Sequence, residues 1–176
     1  LHRQHLLGRL LLGGPPEVLA ALRAILPRSL SRTIEAEFSG ESFAGDADVL
    51  LRVADIAERA ERAHETELVD RLLDASPNLR VMGWDDTLSA LVEGRVHVLF
   101  IARGQTASGY ACPDGHITVV EQLETCPFCR EPVWPVSDLG SWAVGRALYT
   151  GASVEFLGAT AAERLRPAVV AGSLRY

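Results

Sequence analysis

Residues Val96 to Ala102, VHVLFIA, form a nearly continuous apolar run rich in branched side chains. A strand of this kind hides both of its faces, which requires a sheet covered on both sides. Its surroundings supply the covers. Upstream, Leu88 and Leu91 sit on a short helix that Asp85 or Asp86 is expected to cap and Gly94 to end. Downstream, a helix starts at Asp138 and stops at Gly151, and a strand follows from Ser153 to Leu157. A short helix, Ala161 to Arg166, then leads into a last strand near Val169 to Tyr176. Helices alternating with short apolar strands predict an α/β class and an α/β/α sandwich.

The first half reads as a partial β-α-β unit. A strand from Arg9 to Leu12 is followed by a Gly13-Gly14 turn. Pro15 and Pro16 sit where a helix start tolerates a missing N–H. Val18, Leu19, Leu22, Ile25 and Leu26 fall at helical spacing, and Pro27 ends the run. Ile34, Ala36 and Phe38 alternate with Thr33, Glu35 and Glu37, the period of a half-buried strand. After a turn-rich loop, in which Asp46 or Asp48 is a candidate cap, a long connector helix is expected from Val49 to Ala75. Its apolar stripe is Val49, Leu50, Val53, Ile56, Ala57, Ala60, Ala63, Leu68 and Leu72. Asp55/Arg59, Glu58/Arg62 and Glu67/Arg71 have the helix-supporting spacing. The SPN triplet breaks the helix, so a domain boundary is expected near Ser76 to Arg80, giving domains 1–76 and 77–176.

The longest apolar runs fall short of the roughly 20 residues that a membrane span needs, so no membrane partner is expected. The first residues, LHRQHLLGRLLLGG, do not have the pattern of a signal peptide, and Leu1 reads as the middle of a longer protein. A net charge of −6 excludes a basic nucleic-acid coat. All 17 basic residues are arginine, which a GC-rich genome accounts for and which excludes lysine-nucleophile chemistry.

The chain has 3 cysteines, all between Tyr110 and Val133, in an insertion at 109–134. Their number suits a reducing cytoplasm better than a disulfide framework. Cys126-Pro127-Phe128-Cys129 is half of a zinc ribbon, since two thiolates two residues apart reach one tetrahedral ion from a tight turn. In the other half, Cys112-Pro113-Asp114-Gly115-His116, glycine stands where a second cysteine is expected. His116, the next residue, is a good zinc donor, so the candidate ligand set is Cys112, His116, Cys126 and Cys129. Asp114 is a weaker candidate because structural zinc prefers sulfur and nitrogen. A degenerate, metal-free hairpin is the other reading. Four protein ligands would leave no open position, making the zinc structural, and so small an excursion would draw much of its folding energy from the ion.

No catalytic constellation emerges. His97 reads as a core or edge histidine. Asp85 and Asp86 read as helix caps, although as paired carboxylates they would serve a hydrolase or nuclease if a pocket gathered them. Trp84, Trp134 and Trp142 read as packing residues in the absence of a basic surround that would suit base stacking. Arg59, Arg62 and Arg71 lie among Glu58, Glu61, Glu65 and Glu67, an ordinary solvated face.

Several ordered pieces resemble one family. GWDDTLSALVEGRVHVLFIARG, GASVEFLG and the closing VVAGSLRY are similar to segments of the C-terminal domain of the archaeo-eukaryotic class-one peptide-chain release factors, a superfamily that includes the Pelota-type ribosome-rescue proteins. LLLGGPPEVLAALRAILPRSLSRTI resembles the back half of that family's central domain, with the long helix as connector. The likeness is strongest to the bacterial branch, and several members carry a zinc knuckle where Cys112 to Cys129 lies. The resemblance implies a fragment of a cytoplasmic, ribosome-associated termination or rescue factor. Its C-terminal domain would bind a translational GTPase or the ribosome, with RNA contact left to other domains. The family's Gly-Gly-Gln loop would lie upstream of Leu1, since Gly13-Gly14 is followed by proline. A hydrolase or nuclease, and a zinc-stapled interaction module unconnected with translation, remain as alternatives.

Overall fold

The computed structural model describes residues 10–39, 45–119 and 123–176. They group into two compact units that part between Glu61 and Arg62, inside the long helix.

The first unit holds strand β1 (Leu10–Gly14), helix α1 (Pro16–Ile25), the short helix α2 (Arg28–Ser31) and strand β2 (Ile34–Ser39). β1 and β2 pair in parallel, joined by α1, as the β-α-β pattern predicts. Pro15 occupies the cap position of α1 and Pro16 its first turn. Leu12 and Leu19 are buried between strand and helix. Gly13 and Gly14 do not form the expected turn but continue the strand, opposite Phe38 and Ser39. The reason lies across the ladder: a Cβ on Gly13 would sit 2.3 Å from Phe38 Cζ, so the glycine makes room for a ring. The expected strand start at Arg9 lies outside the described residues.

Helix α3 (Asp46–Asp74) follows, 29 residues long. The side chains of Asp46 and Asp48, the expected caps, lie outside what the structure describes. Arg59 pairs with Asp55, and Arg71 lies 4.0 Å from Glu67. The buried stripe differs from the expected one. Leu72 is buried as expected, but Leu50 is 68% exposed, and Glu65 and Val69, which are not in the expected stripe, are buried. Burial follows the C-terminal part of the helix, where Val69 and Leu72 pack with Phe100 and Leu157 of the sheet.

That sheet is built from β3 (Arg80–Met82), β4 (Val96–Ala102), β8 (Ser153–Leu157) and β9 (Val170–Leu174), in the order β3-β9-β4-β8. β9 runs antiparallel to β3 and β4, and β8 is parallel to β4. Strand β3 was not expected: three residues carry no legible alternation, and its partner β9 lies some ninety positions away in the chain. Side chains of β4 alternate between two cores. Leu99 and Ile101 face helices α4 (Trp84–Val92) and α5 (Leu139–Tyr149), with Leu88, Leu91, Leu139, Ala143 and Ala147. Val98 and Phe100 face the other way, toward Val69 and Leu72 of α3 and Ala161 of helix α6 (Ala159–Arg164). Helices therefore cover both faces, and the α/β/α sandwich stands. Each fully buried leucine stabilises it by roughly 1.5–3 kcal/mol.

Two local expectations are corrected. β4 is buried at Val96 and again from Leu99 to Ala102, but His97 near its start is exposed and Val98 half-buried. Asp85 and Asp86 do not cap α4. The cap is Gly83, at φ 82°, a backbone conformation that an L-residue resists, and the two aspartates are exposed in the first turn. There their charge still complements the helix dipole. No helix among the described residues is long and apolar enough to cross a membrane.

Candidate metal centre

The cysteine-bearing segment leaves the sandwich after β4 and returns to it at α5. It contains strand β5 (Gly109–Ala111), strand β6 (Ile117–Thr118) and strand β7 (Trp134–Val136), arranged β6-β5-β7 with β5 central and both pairings antiparallel. Close approach at the start of β5 requires glycine: a Cβ on Gly109 would lie 2.1 Å from the Thr118 carbonyl oxygen.

Two tight turns present the ligands. In the first, Gly115 N–H donates to the Cys112 carbonyl at 3.0 Å and Cys112 N–H to the His116 carbonyl at 3.1 Å. Gly115, at φ 81°, turns the chain so that His116 comes back beside Cys112. The residue that replaces the expected cysteine thus makes the neighbouring histidine a ligand candidate. In the second turn, Arg130 N–H donates to the Cys126 carbonyl at 2.8 Å, and Cys126 N–H to the Glu131 carbonyl at 2.8 Å. Arg130 itself takes a positive φ of 66°.

The donor atoms converge. Cys112 Sγ lies 3.4 Å from His116 Nδ1 and 3.5 Å from Cys129 Sγ, and all four candidate atoms are within 4.8 Å of one another. In a tetrahedral zinc site with ordinary bond lengths, ligand atoms stand about 3.6–3.8 Å apart. The separations fit that geometry, and three sulfurs with one imidazole nitrogen are a donor set that zinc favours. Cys112, His116, Cys126 and Cys129 therefore lie close enough to hold a metal ion. Cys112 and Cys126 are buried, Cys129 half-buried, and the Phe128 ring shields His116 with centroids 5.2 Å apart.

The thiols influence one another. Burial raises the Cys126 pKa, but the backbone N–H groups of Cys129 and Phe128 and the neighbouring thiols outweigh it, bringing it down to about 7. At Cys129 the Glu131 N–H favours the thiolate, yet burial together with Cys126, Cys112 and Asp114 pushes the value up to about 12. A divalent cation held among these sulfurs would favour their thiolate forms.

The segment is not the self-contained excursion expected from its composition. Ala111 and Ile117 join the buried cluster around Leu88 and Leu91, with Ala107, Val119 and Val136 against it. The Cys112–His116 turn thus stands on the sandwich core, while the Cys126–Cys129 turn is closed by the bridge between Thr125 and Pro132. At the return point, Asp138 caps α5. Its carboxylate accepts from Ser141 Oγ, Thr106 Oγ1 and the Ser141 backbone N–H, which hold its pKa down to about 2.

The other candidates do not gather into a site. Asp85 and Asp86 are exposed in the first turn of α4, and His97 is exposed at the edge of β4. Trp84 and Trp142 pack against the core, while Trp134 is 48% exposed. Sequence reasoning missed the buried carboxylate of Glu65, which bonds to Arg103 and to the Gly158 backbone N–H; a glutamate in a charged helix gives no signal of burial.

No family model matches the chain, and no curated protein matches it. Solved structures do resemble it. The C-terminal domain of the peptide chain release factor from Methanosarcina mazei is 13% identical with a TM-score of 0.52, over 77% of this chain and 98% of that one. Archaeoglobus fulgidus Pelota is 19% identical with a TM-score of 0.52, over 96% of this chain and 49% of that one. At these identities the likeness is one of fold. The chain spans about half the length of that Pelota.

Proposed function

We propose that this chain is part of a translation termination or rescue factor of the release-factor and Pelota kind, from the superfamily's bacterial branch. Residues 1–76 would be the end of its central domain and residues 77–176 its C-terminal domain. The observation that carries the reading is the fold likeness spanning nearly all of the M. mazei release-factor domain. The ordered sequence pieces GWDDTLSALVEGRVHVLF, GASVEFLG and VVAGSLRY support it independently. The C-terminal domain serves protein binding, to a translational GTPase or to the ribosome, and the protein works in the cytoplasm. RNA contact belongs to other domains of the parent protein, because the chain carries a net charge of −6.

Zinc held by Cys112, His116, Cys126 and Cys129 is structural in this reading. With all four positions of a tetrahedral ion taken by protein, none is left for a substrate or water. A hydrolase or nuclease reading loses its support, because the carboxylates it needs, Asp85 and Asp86, stand exposed on a helix turn.

Co-sedimentation of the full-length protein with ribosomes tests the proposal. Association with ribosomal fractions, during growth or under translational stress, is the expected result. Absence from every ribosomal fraction under both conditions would overturn it.

A further inference from the structure

The three sulfurs of the metal centre are not equivalent. Cys112 and Cys126 are buried, whereas Cys129 is half-buried and follows a Phe128 side chain that is 65% exposed. Cys129 is therefore the sulfur that a dissolved molecule reaches first. Cys112 Sγ stands 3.5 Å from it, across the gap between the two turns. A disulfide bond is about 2.05 Å long, so a closing movement of about 1.5 Å would bond the pair. Cys126 is within 4.8 Å as well, but its sulfur accepts hydrogen bonds from the backbone N–H groups of Cys129 and Phe128, inside its own turn. Those bonds hold it in place, and a thiolate stabilised in this way is the poorer nucleophile. Cys129 takes one such bond, from the Glu131 N–H.

The fourth position sets a limit. His116 stands where a fourth cysteine would complete two pairs, and an imidazole forms no disulfide. All 3 cysteines of the chain lie in this site, so a chain can close one disulfide and must keep one thiol. A disulfide between Cys112 and Cys129 would join the Cys112–His116 turn to the Cys126–Cys129 turn. These are the same two turns that an ion among the four donors joins.

We propose that this centre is a reversible oxidation site for a hydroperoxide, at which Cys129 and Cys112 become a disulfide and the site gives up its zinc. The Cys129 sulfur attacks the peroxide: an S–O bond forms, the O–O bond breaks, and one oxygen leaves as hydroxide. The Cys112 sulfur then attacks Cys129: the S–S bond forms, the S–O bond breaks, and a second hydroxide leaves. Two thiolates lose two electrons and the peroxide gains them. His116 and Cys126 keep their places, and a thiol reductant restores the full donor set by exchange. Oxidation thus exchanges a metal cross-link for a covalent one. The inference rests on the reading of these four residues as a zinc site and goes beyond the structural role given to the ion there.

Titration of the purified chain with hydrogen peroxide tests it. A chromophoric chelator reads released zinc, a thiol reagent counts free sulfhydryls, and mass spectrometry locates the bond. Cleavage after Glu121 and Glu124 separates the peptide of Cys112 from that of Cys126 and Cys129, and fragmentation identifies the bonded sulfurs. The expected result is loss of two of the 3 thiols, a Cys112–Cys129 bond, and about one zinc released for each disulfide, with zinc rebound after reduction. A disulfide that includes Cys126, or a sulfinic or sulfonic acid at Cys129 in place of a disulfide, would overturn it. A chain that purifies without zinc yet closes the Cys112–Cys129 bond sinks the zinc reading and leaves the oxidation site. A chain that holds zinc and closes no disulfide in excess peroxide does the reverse.

Discussion

The Glu65 carboxylate on α3 accepts a 2.7 Å hydrogen bond from the backbone N–H of Gly158, 93 positions further along the chain. Gly158 is the cap residue of α6, so the glutamate supplies the capping acceptor that α6 lacks in its own sequence. Its other oxygen accepts from Arg103 at 3.0 Å. A Cβ on residue 158 would come within 3.1 Å of the carboxylate, which is why glycine suits the position. One buried side chain thus ties the end of the long helix to the β4 and β8 edge of the sheet.

Replacing Glu65 with alanine should lower the stability of the second unit by about 1–3 kcal/mol, the cost of leaving a part-buried backbone donor unpaired. Urea unfolding followed by circular dichroism measures it. Arg103→Ala should cost much less, because that side chain is 60% exposed and its ion pair is screened.

Zinc analysis of the purified chain should find one equivalent, falling to near zero in Cys129→Ser and in Cys112→Ser. Chelation should raise amide exchange around residues 124–133 first. Exchange in β4 and β9 should change little, because Ala111 and Ile117 anchor the other turn in the main core.

Gly109→Ala should be among the most damaging small substitutions. The added methyl meets a backbone oxygen at 2.1 Å, so β5 or β6 must move. A loss of about 1–3 kcal/mol is expected from overpacking, readable as a lower thermal midpoint together with reduced zinc retention.

Asp138 predicts an acid limb. Its folded pKa of about 2 lies below the unfolded value near 3.9. Its contribution is therefore fully present above about pH 4 and lost as pH falls through about 2. In thermal melts across that range, Asp138→Asn should retain a capping side chain while shedding this share of the pH dependence. An unchanged acid slope in the variant would refute the assignment.

Much of the fold was legible because its signals are local. The α1 prolines, the apolar run in β4, the Asp138 cap and the C-x-x-C pair each lie within one turn or one strand, and each is found where it was read. The convergence of the four candidate donors was legible for the same reason: the glycine at 115 and the histidine after it belong to one five-residue turn.

What the amino-acid order determined by itself was the alternation of elements, the two-sided burial of the central strand and the clustering of metal donors. Tertiary structure alone decided that β3 would pair with β9, that Gly13 would continue a strand beneath Phe38, and that α3 would bury Glu65 and Val69 but leave Leu50 in solvent. These outcomes depend on partners tens of residues away. A three-residue strand or a charged helical position has no preference strong enough to foretell them, and the neighbour that settles each one arrives only when the chain has folded.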